Sequence, residues 1–278
     1  MTKVIGIIAI KGGVGKTTIA ASLASNLVNE YHKKVLLVDA NFSAPNLGLH
    51  MDIIEPQKTI HDVLTGKARV KAAIHNRYGV DVIPGSYLFE GRINYMRLGR
   101  RLKSIKEDYD FIILDSSPSL NEEILSTILA SDHLFVVTTP DYPTISCSMS
   151  AARLAKQRGK PIDGIIINKI RQPEYEIGLK EIEEATGIPV IARIPDDKAN
   201  VGALFMRIPT SVYNARGAFA REISRLAKAI TGNPKNPSFW QKLFSFNFRK
   251  EEINRQILNK SLYKNIFESM GGNNERKE

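Results

Sequence analysis

Residues 9–18 read AIKGGVGKTT, a spacing that can hold phosphate. Gly12, Gly13 and Gly15 let backbone N–H groups converge on an anion, with Val14 between them and Thr18 closing the stretch. A helix opening at Lys16 would add its N-terminal dipole, Lys16 would reach the β and γ oxygens of a nucleotide, and the Thr17 hydroxyl could ligate Mg²⁺. Ile10 stands where the usual P-loop pattern has its first glycine, and Lys11 adds a second cation.

The elements that must position this loop are legible as alternating apolar runs and helical patterns. Strands are expected at 3–10, 34–39, 80–85, 110–115, 133–139, 163–169 and 188–195, and helices near 16–30, 92–106, 120–130, 143–158, 175–186 and 214–231. That rhythm predicts an α/β fold, a mostly parallel twisted sheet of about seven or eight strands with helices on both faces and ligands at the carboxyl ends of the strands. The apolar runs fall far short of the roughly 20 residues a membrane span needs. The first run passes straight into the glycine loop without a cleavage-type site, so the chain is expected to be unexported. One cysteine, Cys147, excludes an internal disulfide and any cysteine-built zinc or iron–sulfur site within one chain. A net charge of +10 favours an anionic contact: nucleic acid, acidic membrane or acidic protein.

With Lys11 and without the first glycine, the loop is the deviant Walker A pattern x-K-G-G-x-x-K-[ST], and over about residues 1–232 the chain resembles the ParA/MinD family of P-loop ATPases. The resemblance implies a P-loop NTPase fold of the SIMIBI class, ATP and Mg²⁺ as ligands, and a homodimer formed on ATP. In that family the lysine at the Lys11 position reaches the partner's phosphates, offsetting repulsion between two facing polyanions. The stretch VLLVDANFSAPNLGLH (35–50) resembles the first switch region and gives Asp39 a catalytic and metal-site role. YDFIILDSSPSLN (109–121) resembles the Walker B strand and second switch, with Asp115 holding the Mg²⁺ shell. IIINKI (165–170) puts Asn168 at the adenine, and RIPDDKAN (193–200) puts Pro195 and Asp196 beside the base. One departure concerns hydrolysis: Asn41 stands where better-known members carry a second aspartate, and an amide can hold the attacking water but not take its proton.

TGNPKNPS (231–238) should end the domain, leaving 1–232 as the ATPase unit and 233–278 as a basic amphipathic tail with seven Lys/Arg against two Glu between Lys235 and Lys264. Phe239, Trp240, Leu243, Phe244 and Phe246 share one helical side opposite Lys242, Ser245 and Arg249, as in a surface-lying membrane helix, and the MinD proteins carry their membrane-targeting sequence there. A second stretch spaces Leu258, Leu262, Ile266 and Met270 four apart, which suits membrane, partner or intramolecular packing equally. The sequence reading is a MinD-like ATPase acting as a nucleotide-dependent positioning switch, cytoplasmic with peripheral association to the inner face of the cell membrane, and served by a protein partner or activator. The alternatives are a nucleotide-switched scaffold with negligible turnover, and ParA-type nonspecific DNA binding through Arg92, Arg97, Arg100, Arg101, Lys103 and Lys106 or through Arg216, Arg221 and Arg225.

Overall fold

The computed structural model describes residues 1–160, 162–232 and 250–263. Eight strands form one sheet: β1 (Lys3–Ile8), β2 (Val35–Ala40), β3 (His75–Arg77), β4 (Val80–Ile83), β5 (Phe111–Ser116), β6 (His133–Thr138), β7 (Gly164–Ile170) and β8 (Val190–Pro195), in the spatial order β3-β4-β2-β5-β1-β6-β7-β8. All neighbours are parallel except β3 and β4. The chain winds to one side of β1 through β5, then crosses to the other side through β6, β7 and β8. The glycine loop leaves β1 at this reversal, where open parallel sheets form their ligand crevice.

Central strands are buried on both faces, which is why they read as continuous apolar runs rather than alternating ones. Successive residues still face opposite ways. Ile113 and Leu37 pack under α1 (Lys16–Asn29) and α10 (Ala218–Ile230). Ile112 and Leu36 pack toward α3 (Ile60–Thr65) and α4 (Leu98–Leu102). Farther along that face, Val136 and Ile165 meet α5 (Glu122–Ala130), α6 (Tyr142–Gln157) and α7 (Leu179–Thr186).

Three sequence expectations need correction. The strand β3 has no apolar signature because it is a short polar edge, joined to β4 by a two-residue turn in which Tyr78 (φ 52°) and Gly79 (φ 79°) both take positive φ. The helix expected over 92–106 is broken into 3₁₀ turns on either side of α4. Short helices α2 (Leu47–His50), α8 (Ala199–Phe205) and α9 (Thr210–Tyr213) fill stretches read as loops.

A fourth correction concerns the tail. Helix α11 (Lys250–Leu262) is part of the core, with Leu258 and Leu262 buried in the same cluster as Ile223, Leu226 and Ile230 of α10. Its polar side chains cap the edge strand: Asn254 Nδ2 donates to the Val190 carbonyl (2.8 Å) and Arg255 Nε to that of Ile191 (2.6 Å). Tyr263 then donates its hydroxyl to the Ile230 carbonyl (2.8 Å). Of the three readings open for the 256–270 stretch, intramolecular packing holds for Leu258 and Leu262. The membrane candidates Phe239, Trp240, Leu243, Phe244 and Phe246, with Ile266 and Met270, lie outside the described residues.

Candidate functional site

Backbone freedom builds the loop. Gly13 (φ 76°) and Gly15 (φ 94°) are left-handed, and Gly15 caps α1. A side chain at Gly15 would also collide with Asn168, whose Nδ2 would lie 2.3 Å from the added carbon. That amide donates to the Val14 carbonyl (2.8 Å), fastening the end of β7 to the glycine loop. The other end of the Asn168 amide, Oδ1, is buried without a hydrogen-bond partner, an open acceptor of the kind adenine's amino group would fill.

Parallel registry brings the two acidic residues together, since Asp39 on β2 is the direct neighbour of Asp115 on β5. Both are fully buried. Asp39 accepts the backbone N–H groups of Asn41 and Leu47 (3.1 Å each), whereas among the described residues neither oxygen of Asp115 has a donor within 3.5 Å, although the Thr17 hydroxyl is near enough to lower its pKa. Burial first, and then the charge of Asp115, hold the Asp39 carboxyl far above the ordinary carboxylate range. Burial likewise raises Asp115, and the Lys16 ammonium pulls it back. Lys16, 7 % exposed, is lowered by its own burial and supported by Asp115. Two adjacent buried carboxyls, one without any donor, form a hard oxygen site that a divalent cation would relieve. Thr17 stands at the same place, its hydroxyl donating to Asn46 Oδ1 (3.0 Å). Mg²⁺ therefore fits the donor set of Asp39, Asp115 and Thr17.

The first switch is pinned from several directions. Asn41 donates its side-chain amide to the Ala44 carbonyl, which leaves Oδ1 as its accepting end. Phe42, next in the chain, donates its N–H to Glu123 Oε2 (3.1 Å), and its carbonyl accepts from His61 Nε2 (3.0 Å). Nδ1 of His61 accepts the Ser86 N–H (3.1 Å), so the ring is the neutral Nε2–H tautomer, and burial lowers its pKa accordingly. Ser43 also donates to Glu123, and the Phe42 ring stacks on Tyr95 at 5.3 Å. Glu123 and His61 were missed from sequence because a glutamate in the first turn of a helix reads as a solvated cap and a lone histidine carries no signal.

Lys11 is not turned into its own loop. Its ammonium donates to Thr144 Oγ1 (2.9 Å) beside Asp141 Oδ1 (3.6 Å), at the start of α6, and is half exposed. Pro195 ends β8 next to β7 and Asp196 follows it, with the Asp196 N–H donating to the Ile170 carbonyl (2.9 Å) and its carboxylate paired with Arg171 (2.6 Å). The candidate basic residues separate: Arg225 pairs with Glu222 and Lys106 with Asp132, while Arg97, Arg100 and Arg101 line an open groove.

A glycine loop between β1 and α1, a buried lysine, and paired carboxyls at the ends of adjacent parallel strands define a P-loop nucleotide-binding protein. A family model described as an AAA domain matches residues 2–150. An uncharacterised ATP-binding protein of Methanocaldococcus jannaschii is 33% identical over 249 residues, covering 88% of this chain and 94% of the relative. The cell division ATPase MinD of Pyrococcus furiosus superposes with a TM-score of 0.78 at 31% identity, over 82% of this chain and 98% of that one. The septum site-determining protein MinD of Pyrococcus horikoshii, solved with Mg-ADP, gives a TM-score of 0.78 at 30% identity over 83% and 96%. This chain belongs to the MinD/ParA family of P-loop ATPases.

Proposed function

We propose that this protein binds ATP with Mg²⁺, dimerises on it, hydrolyses it slowly and uses the cycle as a switch that positions a partner complex. The observation that carries the reading is Asp115: a fully buried carboxylate without a donor, beside Asp39 and within reach of the Lys16 charge. Backbone N–H groups of residues 12–16 would cradle the phosphates, Lys16 would meet the charge on the β and γ oxygens, and Asn168 Oδ1 would accept from the adenine amino group. Pro195 and Asp196, at the end of β8, would flank the base. Thr17, Asp39 and Asp115 would hold the metal, which would supply positive charge against the phosphates.

Asn41 Oδ1 is suited to hold the attacking water by accepting its hydrogen, and it takes no proton. Turnover is therefore carried by charge and positioning and is slow. Phosphate release should exceed that of Lys16→Ala, and Asn41→Asp should raise the rate. Release equal to that of Lys16→Ala leaves the nucleotide-switched scaffold.

Dimerisation rests on Lys11, whose half-exposed ammonium is held by a hydroxyl and a carboxylate rather than by its own phosphate loop. Transfer to a partner's γ-phosphate exchanges one charge-assisted contact for a stronger one. Light scattering should give a dimer with ATP, a monomer with ADP, and a monomer for Lys11→Ala in both; a Lys11→Ala dimer with ATP would refute the role.

No helix among the described residues is long and apolar enough to cross a membrane. Peripheral association is supported by the composition of 238–250 alone. Five half-buried apolar side chains at on the order of 1 kcal/mol each, less the ordering cost, give weak binding for one segment and avid binding for two held in a dimer. Sedimentation with anionic vesicles should require ATP, and equal sedimentation with ADP would refute it.

A further inference from the structure

Two concavities of this molecule are lined by arginine, and their charges are met differently. The smaller, about 180 Å³, lies between β8, α10 and α11, and its guanidinium groups are paired: Arg193 with Glu251 (3.5 Å), and Arg225 and Arg255 with Glu222 (2.5 Å each). The larger, about 920 Å³, runs between the end of α3 and α4. Lys67, Arg69 and Lys71 form one side of it, and Arg97, Arg100 and Arg101 the other. Among the described residues, Lys71 is the one member of this set with an ion pair, to Asp108 at 2.9 Å. Asp62 on α3 is held in the helix cap, accepting the Thr59 N–H (2.9 Å), and among the described residues it makes no ion pair with these cations. Gly66 ends α3 in the left-handed region (φ 85°), and Arg101 lies 3.2 Å from where a Cβ would stand. The groove is thus open and cationic, with the Lys71–Asp108 pair as its one ion pair among the described residues.

The shape of the groove selects among anionic partners. Its cations surround a concavity, and the apolar residues among them, Val70 and Ile105, are buried, so it offers a bilayer neither a flat basic face nor a side chain to insert. It has no aromatic residue on which a base could stack. Its volume of about 920 Å³ gives room for an extended peptide to lie along it. Four of its six cations are arginines, whose planar forks take carboxylates two oxygens at a time. We propose that the groove between α3 and α4 docks an acidic segment of a partner protein.

The test is fluorescence anisotropy on the full chain with a labelled oligo-glutamate peptide. An oligo-glutamine peptide, a labelled DNA duplex and phosphatidylserine vesicles are run at the same ionic strength. Oligo-glutamate should bind and oligo-glutamine should not. The double change Arg97→Glu with Arg100→Glu should weaken binding about tenfold or more, on the scale of like-charge contacts across a complementary interface. Lys156→Glu with Lys228→Glu makes the same change in net charge on exposed helix positions elsewhere and should leave binding within about twofold. All four side chains are exposed, and unchanged melting temperatures identify folded variants; if the groove double variant melts early, Arg100→Glu alone is read. Absent oligo-glutamate binding, or equal loss in the two double variants, overturns the proposal. So does duplex or vesicle binding that the groove variant abolishes while peptide binding survives.

Discussion

Buried charge is handled in opposite ways at the ends of β1, β2 and β5 and at the outer edge formed by β8, α10 and α11. At the edge every buried group is closed by protein: Arg255 meets Glu222 and the Ile191 carbonyl, and Asn254 meets Glu183 and the Val190 carbonyl. At the strand ends Asp115 has no donor, Asn168 Oδ1 has none, and two carboxyls stand side by side. Satisfied buried charge is architecture, whereas unsatisfied buried charge is a place for a ligand, because an orphan of that kind costs about 1–3 kcal/mol until something fills it.

The contrast breaks first at the edge. Arg255→Ala leaves Glu222 with Arg225 as its remaining cation and takes the donor from the Ile191 carbonyl, a loss of about 1.5–3 kcal/mol. Denaturant unfolding should show that loss with nucleotide affinity unchanged. Leu258→Ala, in the same helix, should cost about 2–5 kcal/mol through the cavity it leaves. At the strand ends the signs reverse. Asp115→Asn should weaken Mg²⁺-dependent nucleotide binding about 10–100-fold while stabilising the nucleotide-free protein, because it removes a carboxylate whose burial outweighs the support it draws from Lys16. Titration calorimetry and thermal unfolding check the two effects on one sample.

A smaller effect sharpens the contrast through pH. The Asp39 carboxyl is raised in the folded protein, so its protonated form is favoured by folding. Its contribution is most favourable below the unfolded carboxylate pKa and is lost as pH rises toward its folded value. Nucleotide-free protein should lose stability from mildly acidic to neutral pH, and Mg-ATP should flatten that slope. In Asp39→Asn the slope without ligand should shrink to the part that Asp115, itself raised to about 6 by burial, contributes at lower pH.

Local rules made the phosphate loop and the parallel order legible, because a glycine-rich turn and doubly buried strands write themselves into short stretches, whereas the roles of Asp39 and Asp115 were reachable through family likeness. Asn168 was reachable through family likeness, but its bond to Val14 and its bar on any side chain at Gly15 are contacts across more than 150 residues. Glu123 and His61 hold Phe42 from α5 and α3, and no spacing in the chain predicts that meeting. Helix α11 reads as polar because its work is done by Asn254 and Arg255 capping strand carbonyls. The same rule explains the basic residues: a run of arginines looks alike in sequence whether paired, as Arg225 is, or unpaired, as Arg100 is.

The open site is tested most directly by the proton balance of Mg-ATP binding, measured by calorimetry at neutral pH in buffers of different ionisation enthalpy. A cation seated against Asp39 and Asp115 lowers the raised carboxyl, so binding should release a fraction of a proton, and Asp39→Asn should bind with that release abolished. Binding that is independent of Mg²⁺, or that releases no proton in the unaltered protein, would contradict the assignment of these carboxyls to the metal.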